Sequence, residues 1–306
     1  MTHTSRRAFL QNASLLLAGA FATYSFGFKS RKPLLAFSTL GCPDWTFPRI
    51  TDFASKHGYQ GLEVRGILRE TDLTRSPIFS TSESRKTTVK RMQDKELHFV
   101  GLGSSAMLHH AAPAERKKNL DEGKRFIDLA QEIDCPYVRV FPNNFPKDQE
   151  KEATIGLITQ GMMELAGHAN GSSVTVLMET HGDLVRADDL LTIMDAAPHK
   201  HAGLVWDIAN MWTITRQSPS DVYNKLKKYI RHTHIKDARI VAGKPEYTLL
   251  GQGEVPVFEA IRALVKGNYA GYYSFEWEKL WHPEIAEPET ALAHFPGAIH
   301  QYLKQL

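Results

Sequence analysis

The sequence predicts an α/β chain folded as a (β/α)8 barrel, and three observations carry that prediction. Eight apolar runs of strand length alternate with amphipathic stretches after residue 28. Together these units fill about the length that eight strand–helix pairs require. No linker rich in Pro, Gly or Ser divides the chain, so residues 29–306 read as a single domain. A doubly wound open sheet is the structural alternative. It ordinarily has fewer strands, and no Gly-x-Gly-x-x-Gly turn follows the first run.

In chain order, strands are expected at 34–40, 61–65, 97–102 and 137–141, then at 174–179, 203–207, 232–236 and 271–276. Each is a short apolar run enriched in β-branched or aromatic residues. Between the third and fourth, residues 113–133 repeat apolar side chains at Leu120, Phe126, Ile127, Leu129 and Ala130. Residues 151–168 do the same at Ile155, Ile158, Met162 and Leu165, the spacing of a helix with one buried face. Ser82 ahead of an Arg-Lys run, and Ser218 ahead of Pro219, have the chemistry of helix starts. A last helix is expected at 288–303. The Lys225-Leu226-Lys227-Lys228 run reads as the solvated face of a helix.

The N-terminus has a different character. Ser5-Arg6-Arg7-Ala8-Phe9-Leu10 is a twin-arginine motif, and an apolar run follows at 13–28. That run is short for a membrane span, and Ala20 and Ala22 suit cleavage. Residues 1–28 are therefore expected to be an export signal, giving a periplasmic protein with no membrane attachment after its removal. The route carries folded proteins, so a metal is expected to be loaded before export. Formal net charge is +3, and losing Arg6 and Arg7 leaves +1. A near-neutral chain gives no bulk electrostatic case for nucleic acid. The only cysteines, Cys42 and Cys135, fall at opposite ends of the expected barrel, too far apart for a disulfide.

The chemistry lies where runs five to eight end. Glu179, Asp207, His234 and Glu276 each sit at or near the end of an apolar run with a side chain that does not serve a core. Parallel strands bring all four to one rim. Two Glu, one Asp and one His suit one divalent metal ion, manganese foremost, with magnesium, zinc or cobalt as alternatives. His232 faces the same way as His234, so the residues alone leave either as the ligand. Glu179 and Glu276 are the expected catalytic pair. A metal polarises a carbonyl and acidifies the adjacent C–H. One glutamate removes that proton and the other returns one. The candidate substrate-binding residues are His181, Lys236, Arg139, Glu63, Asn210 and Trp45. Arg139 or Lys236 would stabilise an enediolate oxygen, or hold a carboxylate or phosphate. Arg65, Ser104, Ser105, Asn143, Asp237 and Glu278 belong to the same rim. Trp45, Trp212, Trp277 and Trp281 fall in its loops, where aromatic faces suit a sugar ring. His109 and His110 read as surface loop residues.

Six segments, in this order and spacing, resemble the xylose isomerase-like TIM barrels known as sugar phosphate isomerases/epimerases. They are 58–65 (Gly-Tyr-Gln-Gly-Leu-Glu-Val-Arg), 179–182 (Glu-Thr-His-Gly), 207–210 (Asp-Ile-Ala-Asn), 234–237 (His-Ile-Lys-Asp), 250–256 (Leu-Gly-Gln-Gly-Glu-Val-Pro) and 274–278 (Ser-Phe-Glu-Trp-Glu). The resemblance covers nearly all of the chain after the signal. It implies the ligands Glu179, Asp207, His234 and Glu276, favours His234 over His232, and makes the two glutamates the acid/base pair. It further implies one catalytic domain acting on a small-molecule sugar or keto-sugar. Many members carry His where this chain has Asn210, a departure that bears on substrate. The same scaffold hosts inosose dehydratases and keto-sugar lyases or hydratases, so elimination is the first alternative. A non-catalytic periplasmic sugar-binding protein is another. An abasic-site endonuclease also shares the barrel, but it needs more His ligands and a basic DNA-binding face.

Overall fold

The computed structural model describes residues 33–305. The segment read as an export signal, residues 1–28, lies outside them. Ten strands occur in chain order: β1 (Leu34–Ser38), β2 (Gly61–Val64), β3 (His98–Met107), β4 (Tyr137–Phe141), β5 (Thr175–Glu179), β6 (Ala202–Asp207), β7 (Ile230–Ile235), β8 (Asp237–Val241), β9 (Lys244–Thr248) and β10 (Tyr272–Phe275). Eight of them close into a barrel in the spatial order β1-β10-β7-β6-β5-β4-β3-β2. Every neighbouring pair in it is parallel. Nine helices are described: α1 (Phe47–Lys56), α2 (Ser82–Asp94), α3 (Pro113–Glu132), α4 (Lys151–His168), α5 (Ala187–Ala196), α6 (Ile208–Thr215), α7 (Pro219–Leu226), α8 (Val257–Lys266) and α9 (Pro288–Leu303). The expected (β/α)8 barrel is the observed one.

Local chemistry explains the elements. Barrel strands covered by helices on one face and filled on the other are buried almost throughout, and β6 is buried at every residue. In α1 the Thr46 hydroxyl accepts from the Arg49 N–H, Pro48 sits in the first turn, and Phe47, Ile50, Thr51 and Ala54 turn inward. Removing an Ile50-sized side chain from water contributes about 1.5–3 kcal/mol. Ser218 caps α7 as expected, whereas α2 is capped one residue before Ser82, by Thr81. Among the described residues no helix is long and apolar enough to cross a membrane. Cys42 and Cys135 are buried and unpaired.

Two features depart from expectation. First, β3 runs on to Met107, so Ser104 and Ser105 lie within the strand and do not follow it. Side chains of α3 hold the extension: Glu122 accepts from the Ser105 N–H and Asn119 from the Met107 N–H. The register shifts between Gly103 and Met107, which re-aims the strand at the rim. Second, β8 and β9 form an antiparallel hairpin between β7 and α8. Its two-residue turn, Ala242-Gly243, has positive φ at both positions, +48° and +79°. This is the backbone a tight hairpin requires, made without the usual Asn-Gly. Behind the hairpin the buried Asp237 carboxylate accepts from the N–H groups of Gly251, Gly253 and Val255. A side chain at Gly253 would run into that carboxylate, so the loop closes only around glycine.

Candidate active site

The barrel register assembles the site. Asp207 and His234 are direct partners on adjacent strands β6 and β7. Ser274 on β10 pairs with His234 from the other side, and Glu276 follows two residues on, its N–H bonded to Ile235 O. Glu179 ends β5 opposite Val205 of β6. Glu179, Asp207, His234 and Glu276 are all buried, and one ligand atom from each lies within 4.8 Å of the others. Cation–ligand bonds of about 2.0–2.2 Å span a set of that width.

The hydrogen bonds indicate which atoms are free to bind. Asp207 caps α6: its Oδ1 accepts from the Asn210 N–H at 2.8 Å. Its own N–H donates to Thr180 Oγ1, fixing the backbone. Oδ2 has no hydrogen-bond partner, although Lys236 Nζ stands 2.8 Å away in poor alignment. Glu179 Oε2 is in the same position with Arg139 Nε at 3.0 Å. His234 Nε2 lies 3.0 Å from both oxygens of Glu63, and His232 Nε2 lies 2.8 Å from one. Burial opposes ionisation of Glu63, but the two imidazoles outweigh it and hold the carboxyl far below its usual range. An ionised carboxylate only accepts, so each Nε2 carries the donating proton. That directs His234 Nδ1 into the cluster, 3.2 Å from Glu276 Oε1, 3.4 Å from Glu179 Oε1 and 3.7 Å from Asp207 Oδ2. This buried nitrogen has no hydrogen-bond partner. A lone pair facing three carboxylate oxygens calls for a positive charge between them, and the donor set fits a divalent cation.

Burial and the neighbouring charges act against each other on these groups. Burial alone would raise Glu276, but His234 and Lys236 hold it well below the usual carboxylate range. Glu179 is also lowered: burial and Glu276 push it up, while His234 and Arg139 more than offset them. Burial raises Asp207 against the pull of Lys236. Burial disfavours a charged His234, yet Glu276, Glu63 and Glu179 raise its affinity for a proton well above the ordinary value. A bound cation would take that proton's place at Nδ1. Divalent-metal affinity is therefore expected to strengthen as pH rises, with proton release on binding. Titration calorimetry in two buffers of different ionisation enthalpy checks this. Equal heats in both would contradict it.

The other expected site residues divide. Lys236 is almost wholly buried and reaches Glu276 at 2.6 Å and Glu278 at 2.5 Å. Arg139 reaches Glu179. His181 Nδ1 pairs with Asn143 Oδ1 at 2.9 Å beside the Phe141 ring. Asn210 sits half-buried on the first turn of α6. Glu63, expected at the substrate, is instead engaged by His232, His234 and Ser274 inside the barrel. Trp45 is buried, packs on Phe53 and lies under Arg49. Trp277 is also packing: it is buried, stacks on Phe275, and donates to Ala286 O. His109 lies in the loop after β3 but is buried there, against His110. Two residues escaped the sequence reading. Ser274 is signalled by its two-residue spacing from Glu276. Tyr247, 5.6 Å from Lys236, comes from the unforeseen hairpin.

Comparison with known proteins agrees with this architecture. Residues 51–296 match the family model described as xylose isomerase-like TIM barrel. Fructoselysine 3-epimerase of Shigella flexneri is 22% identical over 166 residues, which is 53% of this chain and 59% of that protein. The match thus spans about three-fifths of that relative's length. Among solved structures, D-psicose 3-epimerase from Clostridium cellulolyticum H10 has a TM-score of 0.70 at 14% identity, covering 89% of this chain and 98% of that one. The probable 3-DHS dehydratase AsbF from Bacillus anthracis has a TM-score of 0.70 at 18% identity, covering 87% and 98%. Barrel, strand order and matched segment agree: the chain belongs to the xylose isomerase-like TIM barrel family.

Proposed function

We propose that this protein is a divalent-metal-dependent isomerase or epimerase of a sugar or polyol derivative, working by proton abstraction next to a carbonyl. One observation carries the reading. Two buried glutamates, Glu179 and Glu276, flank the inward nitrogen of His234 at 3.4 and 3.2 Å. A divalent cation held by Glu179, Asp207, His234 and Glu276 would polarise the substrate carbonyl and acidify the neighbouring C–H. Glu179, kept ionised beside Arg139, is placed to take that proton. Glu276, oriented by Lys236, is placed on the other side, where it would first take up the proton of a substrate hydroxyl and then deliver it to the carbon. Arg139 and Lys236 are the cations nearest the two carboxylates. They would stabilise negative charge developing on the substrate oxygens. The sugar epimerases among the similar proteins support a small sugar or keto-sugar as substrate. Export to the periplasm through residues 1–28 is part of the same proposal.

Elimination from a keto-sugar or inosose is the second reading. Lys236, held between Glu276 and Glu278, supplies a proton donor beside the reacting carboxylate for a departing hydroxyl. Deuterium uptake at the C–H next to the carbonyl tests the proposal, followed by NMR over free ketoses, inososes and 3-keto-glycosides. Uptake that requires added metal supports it, and the product separates epimerisation from elimination. A folded, metal-loaded protein that exchanges none of these protons would count against enolisation chemistry.

A further inference from the structure

Arg65 follows β2 two residues after Glu63, so both side chains share the inward face. It is almost fully buried, with 6% exposure. One terminal nitrogen, Nη2, donates to Ser105 Oγ at 3.0 Å. The other, Nη1, is buried with no hydrogen-bond partner. Among the described residues no carboxylate comes within ion-pair distance of this guanidinium. Its neighbour is a second buried cation. Arg139 lies over the Phe141 ring at 3.8 Å, donates to Ser104 O, and pairs with Glu179. The two meet above Gly103, where an added Cβ would stand 2.7 Å from Arg65 Cδ and 3.0 Å from Arg139 Nη2. Only a residue without a side chain lets both guanidiniums occupy that groove.

This arrangement is costly for the chain alone. A buried charge without a partner is strongly disfavoured, and a second cation beside it adds to the cost. Burial, and then Arg139, push the Arg65 guanidinium down to about 10. Lys236 has three acidic partners and Arg139 has one, so Arg65 is the cation of this rim left without one. One guanidinium fork without an ion-pair partner, with Glu122, Glu179 and Glu276 acting on it only from longer range, matches one monoanion with two coplanar oxygens. A phosphate would bring close to two charges.

Resting on the reading of this rim as a sugar-converting site, we propose that Arg65, with Arg139 beside it, receives a carboxylate of the substrate. The substrate class is then an acidic sugar, held with its carboxylate near Arg65 and its reacting carbon near Glu179.

Saturation-transfer NMR on the metal-loaded protein tests this. The probes are D-glucuronate and D-galacturonate, their neutral counterparts D-glucose and D-galactose, and D-glucose 6-phosphate. Wild type is expected to bind the acids at least about ten-fold more tightly than the neutral sugars, the scale of one charge-assisted contact. Arg65→Gln is expected to erase that preference, and Arg65→Lys to keep part of it. Melting temperature and metal stoichiometry confirm that each variant is folded and loaded. Equal binding of acids and neutral sugars, or a preference that survives Arg65→Gln, overturns the proposal and leaves the sugar reading standing. Preference for the phosphate overturns the carboxylate assignment. Binding of no sugar at all contradicts the sugar reading, and the proposal falls with it.

Discussion

Glu276→Gln is expected to slow turnover about 10²–10⁴-fold while the barrel stays folded, the range set by loss of a positioned acid/base group. The substitution keeps size and an amide oxygen for the cation but removes the proton-carrying oxygen. Glu276 suits this test because Lys236 and His234 hold its carboxyl ionised despite burial. An amide cannot take up or give back the substrate proton. A non-catalytic sugar-binding protein would respond differently, keeping its sugar affinity with no turnover to lose. Parallel measurement of kcat and of binding to the same sugar separates the two. If turnover in the variant matches wild type, Glu276 is not part of the acid/base pair.

Glu63→Ala is expected to cost about 3–5 kcal/mol of stability, because it leaves two buried imidazoles without the acceptor that orients them. That corresponds to a fall in Tm of roughly ten degrees. The same change is expected to weaken metal binding about 10–100-fold, since the partner of a metal-binding histidine fixes its tautomer. The pH dependence has a definite sign. The Glu63 carboxyl is depressed in the folded protein, because its two histidines more than offset burial. Its contribution is therefore present above the ordinary Glu value and is lost as pH falls. The Tm gap between wild type and Glu63→Gln should narrow below about pH 4.3. Calorimetric melts across that range check it, and a gap that widens on acidification would contradict the ion-pair origin.

The barrel and the clustering of four candidate ligands were legible for one reason: strand periodicity and parallel pairing are local patterns with a global consequence. Glu179, Asp207, His234 and Glu276 each mark the end of a run, and the fold alone brings ends together. Glu63 was harder to read because its partners lie 169 and 171 residues away, across the barrel interior. From sequence it resembles any charged residue near a rim. The burial of Trp45 and Trp277 could not be read, because loop position does not determine burial. Trp45 packs on Phe53 of α1 and Trp277 on Phe275 of β10. The hairpin β8–β9 was hidden because Ala242 occupies a left-handed position that local chemistry assigns to Asn or Gly. No residue pattern signalled that Arg65 would lack an acidic partner, a fact that depends on where every neighbouring carboxylate points.

The most direct test of the central claim is metal stoichiometry, measured by manganese titration with electron paramagnetic resonance on wild type and Asp207→Ala. One bound ion per chain, lost in the variant, is the expected result. No tight site in wild type would contradict the claim. Two ions per chain would also contradict it, because the second would have to displace the Glu63–His232–His234 hydrogen bonds that aim Nδ1 of His234 at the first.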